Sequence, residues 1–414
     1  MTHTEGRPPD VTAQLLARGY TLSAYLAGDE SRDATAVRLM GAPAVWLRGR
    51  QGAEAFYDTT RFRRAGALPK VVSDVLFGTG PVHSLDDEAH RHRKTLFLSV
   101  TEPGAVAGLS ETVGDGWERG LTLTLDRGDP VAVFPAAVKV IGQAVQRWAG
   151  LDVGADHVAR SEDLARVVDG FGGVGPRQAR ARLARARADR WAGEQIDRAR
   201  RGEAPEGSVL DQVATFRDLD GSVLPRHTAA VELLNVLRPT VAVSWFVAFA
   251  AFALQQDTYW RGRVAAAGAP EVVAFAHEVR RHYPFVPVLA ARAREDTEVC
   301  GMALRAGDRA VLDVYGTNHD ARAWSHPDAF DPSRFEDTEP DEFAFVPQGG
   351  GDARTGHRCP GEGIATGILT AVVPSLARRG YRIAPSNGLA WSARRMPPRF
   401  RGGLRILPVA AGGR

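Results

Sequence analysis

Pro347-Gln348-Gly349-Gly350-Gly351-Asp352-Ala353-Arg354-Thr355-Gly356-His357-Arg358-Cys359-Pro360-Gly361-Glu362 carries the densest chemical signal in the sequence. A cysteine stands behind a run of glycines and just ahead of a helical pattern over 360–379. Amide N–H groups and the positive end of the helix dipole favour a thiolate in that place. Glycines let the backbone wrap closely around a bulky flat ligand. The only other cysteine, Cys300, falls in a turn between strand-like pieces and reads as a bland buried thiol.

Outward from this segment, residues 288–294, 297–304 and 309–315 read as short strands joined by glycine or acidic turns. The stretch from Thr317 to Arg358, rich in Asp, Pro and Gly, is too long for a structureless loop unless it is functional. Strand-like pieces at 381–384 and 402–408 follow the last helix. The first two-thirds reads mostly as helix, near 105–119, 136–150, 178–201, 226–256 and 268–283. Glu278 and Arg281 share a helix face at i, i+3. Asp331-Pro332-Ser333-Arg334-Phe335 offers a second arginine.

Other motifs yield less. Gly170-Phe171-Gly172-Gly173-Val174-Gly175 satisfies the dinucleotide fingerprint, but Pro176 follows and helical patterns flank it, so a loop between helices is expected. His90 and His92, two apart on a helix, point to different faces, which argues against joint metal ligation. A basic helix end facing an anion suits them better. The arginine-rich tract 178–201 reads as a solvated helix without the interleaved aromatics of a base-stacking surface.

The 414 residues are 44% hydrophobic and 24% charged, with a net charge of +3. Such a composition excludes disordered and collagen-like classes, and the charge does not call for nucleic acid. Two cysteines exclude a disulfide scaffold and suggest a reducing, cytoplasmic setting. The N-terminal residues show no signal-peptide pattern. Uncharged residues Pro239 to Gln256 approach membrane length, but Thr240, Ser244 and the preceding Arg238 favour a buried core helix. Length alone suggests two or three domains.

Glu278-x-x-Arg281, Arg334-Phe335 and Cys359-x-Gly361, in this order and spacing, resemble the cytochrome P450 superfamily. The resemblance implies a mainly α fold with a small β portion, one haem-centred domain over residues 1–414, and haem b as cofactor. It makes Cys359 the axial iron ligand and Glu278, Arg281 and Arg334 a structural triad. Asp352 to Thr355 are extra relative to the usual loop. A second departure lies in the distal helix. Oxygen-using members carry an acid–threonine pair there, whereas this chain reads Leu237-Arg238-Pro239-Thr240. That Arg-Pro pair resembles the bacterial fatty-acid peroxygenase and decarboxylase branch. So do Ala67-Leu68-Pro69-Lys70, Leu76-Phe77-Gly78, His92-Arg93-Lys94 and Tyr315-Gly316-Thr317-Asn318-His319-Asp320.

A lone cation in an apolar helix requires an anion; a ligand carboxylate suits the guanidinium fork, and a protein carboxylate from elsewhere in the fold is the alternative partner. Glu232, six residues before Arg238, is placed on another face. Pro239 removes a helical hydrogen bond to the Asn235 carbonyl, and a kink there can open the helix beside the haem. The resemblance implies hydrogen peroxide as co-substrate and a long-chain fatty acid whose carboxylate, held by Arg238, serves as general acid–base. Products are 2- or 3-hydroxy acids, terminal alkenes by decarboxylation, or both. His83 is expected to influence that choice, with a pKa near working pH. Leu76, Phe77, Phe171, Ala242 and Phe285 are expected along the acyl chain, and His90, Lys94, His357 and Arg64 at the haem propionates. A monooxygenase dependent on redox partners and a non-catalytic haem or fatty-acid binder are the competing readings.

Overall fold

The structure is a computed structural model that describes residues 7–28, 32–266, 268–385 and 390–409. Its centre is the helix Arg226–Gln256. Apart from its ends and from Glu232, Asn235 and Arg238, that segment is largely apolar on every side, the pattern of a helix enclosed by protein. It packs against Val133–Trp148, Pro176–Arg200 and Glu362–Arg379. Its most apolar window is 89% buried inside the protein, so this membrane-length helix belongs to the core. Leu233, Leu237, Val241 and Leu254 are fully enclosed. Each such side chain contributes roughly 1.5–3 kcal/mol by leaving water. Pro239 does not end the helix, which runs through it unbroken.

The cysteine precedes Glu362–Arg379. Glu362 in the first turn and Arg378 and Arg379 in the last complement the helix dipole. This helix packs between Pro103–Asp126, Ala269–His282 and the central helix. Glu278-x-x-Arg281 is thereby brought against the approach to the cysteine.

Pro176–Arg200 departs from the solvated helix expected of 178–201. Ala181, Ala184, Ala188, Ala192 and Ile196 are buried, as is Arg185. Alanine on that face lets the helix approach His157–Asp169 and the central helix closely. Gly170 to Gly175 form the loop between His157–Asp169 and Pro176–Arg200, as expected.

A five-stranded sheet lies to one side, in the order Ala34–Leu39, Ala42–Leu47, Arg309–Asp313, Val288–Ala293, Phe62–Arg63. Ala42–Leu47 runs parallel to Arg309–Asp313, with Trp46 opposite Val311, and the other pairs are antiparallel. The expected strand 297–304 is a small hairpin, Thr297–Val299 and Met302–Leu304, turning at Cys300-Gly301. Both turn residues have positive φ, 46° and 77°. Cys300 at this tip is exposed, not buried as expected. The long segment after Thr317 contains one short 3-10 turn, Pro332–Phe335. It is not structureless, because Trp324, Phe335, Ala344 and Phe345 form a local apolar cluster with Ala274.

Candidate active site

The cysteine loop is shaped by its glycines. Gly349 and Gly351 have φ of 99° and 74°. A Cβ on Gly349 would lie 2.7 Å from the Tyr57 hydroxyl, and one on Gly350 would lie 2.8 Å from the Glu342 carbonyl. The Cys359 N–H donates to the Gln348 carbonyl at 3.1 Å, closing the loop. The extra residues form a turn of their own. The Asp352 carboxylate accepts from the Arg354 N–H at 2.6 Å and the Thr355 hydroxyl at 2.9 Å. Its carbonyl accepts from the Gly356 N–H. Cys359 is half-buried. Burial pushes its thiol pKa up, while the Gly361 N–H and the charges of Lys94 and Arg280 pull it down. The helix-start effect expected from sequence is therefore present but outweighed by burial.

Arg280 belongs to the stretch Arg280-Arg281-x-Tyr283-Pro284-Phe285 that shares the resemblance, but sequence reasoning gives it no role. This buried side chain donates to Gln348 Oε1, Thr366 Oγ1 and Glu362. Glu362 also accepts from Arg358 at 2.7 Å. Arg280 thus ties both sides of the cysteine loop to the preceding helix. In sequence it looks like one more cation at a helix C-terminus.

Beside it, Glu278 and Arg281 form a bidentate pair at 2.6 and 2.7 Å, both fully enclosed. Arg281 also donates to the carbonyls of Asn318, Pro327 and Ala329. Arg334 lies 3.7 Å from Glu278 and donates to the Ser325 and His326 carbonyls. The three residues expected as a triad meet, and they pin the long loop to the helix.

The residues expected at the propionates gather by the segment that leads into Cys359. The His90 and His357 rings stack at 3.9 Å. His357 lies 3.6 Å from Asp86, whose carboxylate also accepts from the Arg64 and Ala65 N–H groups. The Lys94 ammonium donates to the Gly356 and Arg358 carbonyls. The Arg64 guanidinium lies over Phe56 at 4.0 Å. Burial lowers all four pKa values, to about 10 for Arg64, about 8 for Lys94 and about 3 for His90, with His357 also lowered. Asp86 is the one carboxylate paired within this cluster among the described residues. With both imidazoles neutral, Arg64 and Lys94 against Asp86 still leave an excess of positive charge near the cysteine loop, which fits a flat group that carries carboxylates and a thiophilic metal, as haem does.

In the central helix, Arg238 is 5% exposed. Among the described residues no carboxylate lies within ion-pair distance of it. One Nη donates to Asn235 Oδ1 at 3.0 Å, and Nε is buried without a partner. Burial, reinforced by the charge of Arg185, lowers its pKa to about 9. Its guanidinium lies 5.3 Å from the Phe77 ring centre, and Phe77 stacks on His83 at 4.3 Å. Glu232 is not isolated on another face. It bonds Asn235 at 3.0 Å, and Asn235 bonds Arg238, so three successive i, i+3 positions are linked. Its charge is met directly by Arg93.

His83 departs from the sequence expectation. Burial, with Arg238, His357, His90 and Lys94 nearby, lowers its pKa to about 3. His83 is nevertheless an exposed residue by its accessible surface. With that pKa the imidazole is neutral near pH 7. His92 points elsewhere, to the Arg217 carbonyl and the Phe216 ring.

Of the expected acyl-chain residues, Phe77 is beside Arg238, and the Leu76 carbonyl accepts from Arg185. Ala242 lies one turn beyond Arg238 in the central helix. Phe285 packs with Trp245 and Phe246. Phe171 is in the Gly170–Gly175 loop, where Met396 closes on Gly172.

A helical body, a side sheet, and a glycine-wrapped cysteine flanked by cations define a haem-thiolate protein. The chain belongs to the cytochrome P450 family. The Cytochrome P450 family model matches residues 270–379. Among solved structures, cytochrome P450SP alpha (CYP152B1) in complex with (R)-ibuprophen is 37% identical, with a TM-score of 0.91, covering 98% of this chain and 100% of that one. Cytochrome P450EX alpha (CYP152N1) with myristic acid is 34% identical, with a TM-score of 0.90, covering 98% and 99%. A variant of cytochrome P450 OleT in complex with arachidonic acid is 30% identical, with a TM-score of 0.90, covering 97% of each chain. A curated relative, cytochrome P450 137 of Mycobacterium tuberculosis, is 28% identical over 59% of this chain. That match spans about half, 51%, of the relative's length.

Proposed function

We propose that this protein is a haem-thiolate peroxygenase that uses hydrogen peroxide to oxidise long-chain fatty acids at the α or β carbon. Its products are 2- or 3-hydroxy acids, terminal alkenes by decarboxylation, or both. The observation that carries this reading is Arg238, a buried guanidinium with no carboxylate partner among the described residues, in place of an acid–threonine pair. The three related structures hold carboxylic acids, which supports a carboxylate ligand here.

Cys359 would hold the iron, with Arg64, His90, Lys94 and His357 toward the propionates. When bound, haem supplies the iron centre at which peroxide is cleaved and a carbon–hydrogen bond is oxidised. Arg238 binds the substrate carboxylate and keeps it ionised, so that this carboxylate can accept a proton and return it. The fixed carboxylate leaves the first two methylene carbons as the carbons presented for reaction. Phe77 covers the guanidinium and excludes water from the ion pair. Neutral His83, stacked on Phe77, offers a hydrogen bond near these carbons without adding charge. Leu76, Phe171, Ala242 and Phe285 would line the acyl chain. On this reading no redox partner is obligatory, no nucleic acid is bound, and the enzyme works in the cytoplasm.

The test is incubation of the haem-loaded protein with hydrogen peroxide and palmitic acid, without reductase, and chromatography of the products. Hydroxy acids or an alkene one carbon shorter are expected. Turnover that requires NADPH and an electron-transfer chain would contradict the peroxygenase reading.

A further inference from the structure

The buried Glu232 carboxylate connects the turn that carries His83 with the helix that carries Arg238. Its Oε1 accepts from the Val82 N–H at 2.8 Å and from Arg93 at 3.1 Å. Its Oε2 accepts from Asn235 Nδ2 at 3.0 Å. Arg93 is anchored on its other side by Asp218, which is partly exposed. Val82 opens the short 3-10 turn Val82–Ser84 that carries His83. One carboxylate therefore touches the turn bearing His83 and, through one amide, the guanidinium of Arg238.

The chemistry of these groups fixes a direction. An ionised carboxylate only accepts, so Asn235 must turn its NH2 toward Glu232. Its carbonyl then faces Arg238, which only donates. Burial raises the Glu232 pKa above the ordinary carboxylate value, and the three donors that converge on it, from Asn235, Arg93 and Val82, oppose that rise and favour the ionised form. Arg93 balances the charge of Glu232, so the positive charge of Arg238 stays available to a ligand. We propose that Glu232 and Asn235 are positioning residues. They form a polarity relay that holds the Arg238 guanidinium in one orientation, with Nε unpaired, and fix its separation from His83. The proposal rests on the reading of Arg238 as the carboxylate anchor.

Glu232→Gln breaks the relay with little change of shape. The substituted amide keeps a carbonyl for Arg93 and Val82 but presents an NH2 to Asn235. Asn235 then reverses and directs its own NH2 at Arg238, donor against donor. Asn235→Leu removes the relay another way and serves if the first variant does not fold. The measurement is titration of the haem absorption band of each holoenzyme with myristic acid and with 1-tetradecanol. The alcohol has the same chain without the carboxylate. In both variants the Kd for the acid is expected to rise roughly tenfold, as for one lost charge-assisted contact. The Kd for the alcohol is expected to stay within about twofold, the scatter that separates unaffected sites. Equal weakening of acid and alcohol would show a merely structural role and overturn the relay. Arg238→Ala separates the remaining outcomes. Acid affinity lost there but unchanged in Glu232→Gln and Asn235→Leu overturns the relay alone. Acid affinity retained in Arg238→Ala overturns the anchor and the relay with it.

Discussion

Arg238 stands out in the sequence because it is a charge inside an apolar run, and burial of an unpaired charge is costly enough to demand an explanation. Arg238→Ala is expected to lower kcat/KM for myristic acid by about 100-fold, the equivalent of roughly 3 kcal/mol for a desolvated charge pair. Arg238→Lys is expected to recover only part of it, since an ammonium lacks the planar fork. Steady-state peroxide-driven rates measure both. The partners of Arg238 were less legible. Glu232 and Asn235 precede it at i, i+3 steps, but the acid is neutralised by Arg93 from another helix. Spacing along one helix does not reveal that charge balance. The same holds for His83, whose position was legible but whose pKa was not. Its depression comes from burial and from residues distant in sequence. Arg281 offers a second test at this scale. Arg281→Met removes the ion pair with Glu278 and the bonds to three loop carbonyls. Breaking such a buried pair costs about 3–5 kcal/mol. Urea unfolding of the holoenzyme, followed by haem absorbance, should show the loss.

Among the elements, the glycine loop and the helices around it could be read from sequence, because glycine runs and apolar periodicity are local signals. The hairpin of Ala34–Leu39 and Ala42–Leu47 could not. Its two-residue turn uses Met40 at φ 55° and Gly41 at φ 77°. Methionine is not a residue that announces a left-handed turn. The solvated appearance of 178–201 misled for a related reason, since arginines dominate the composition while alanines make the packing face. The cysteine loop supplies the test at this scale. Gly349→Ala adds a Cβ at φ 99° and 2.7 Å from the Tyr57 hydroxyl, so the loop must move. The absorbance of the reduced, carbon-monoxide-bound protein per chain should fall sharply. Gly128→Ala, also at positive φ but with open space around it, should keep its haem and lose about 1–2 kcal/mol of stability.

For the whole molecule, buried neutral histidines predict how stability follows pH. Burial and nearby arginine charge lower His282 to about 4 and His319 to about 3. Between these values and the unfolded value of about 6.5, the unfolded chain binds more protons than the folded one. Their contribution is complete above about pH 6.5 and is lost as pH falls toward 3 to 4. The urea midpoint of the holoenzyme should therefore drop between about pH 7 and pH 5. His319→Gln should reduce that dependence. Peroxide-driven oxidation directed by an anchored carboxylate has one direct signature, the position of the new oxygen along the chain. Mass spectrometry of the products from myristic acid, hydrogen peroxide and haem-loaded protein would locate it. Oxygen at C2 or C3, or an alkene one carbon shorter, is the expected result. Oxygen toward the methyl end would contradict an anchor at Arg238.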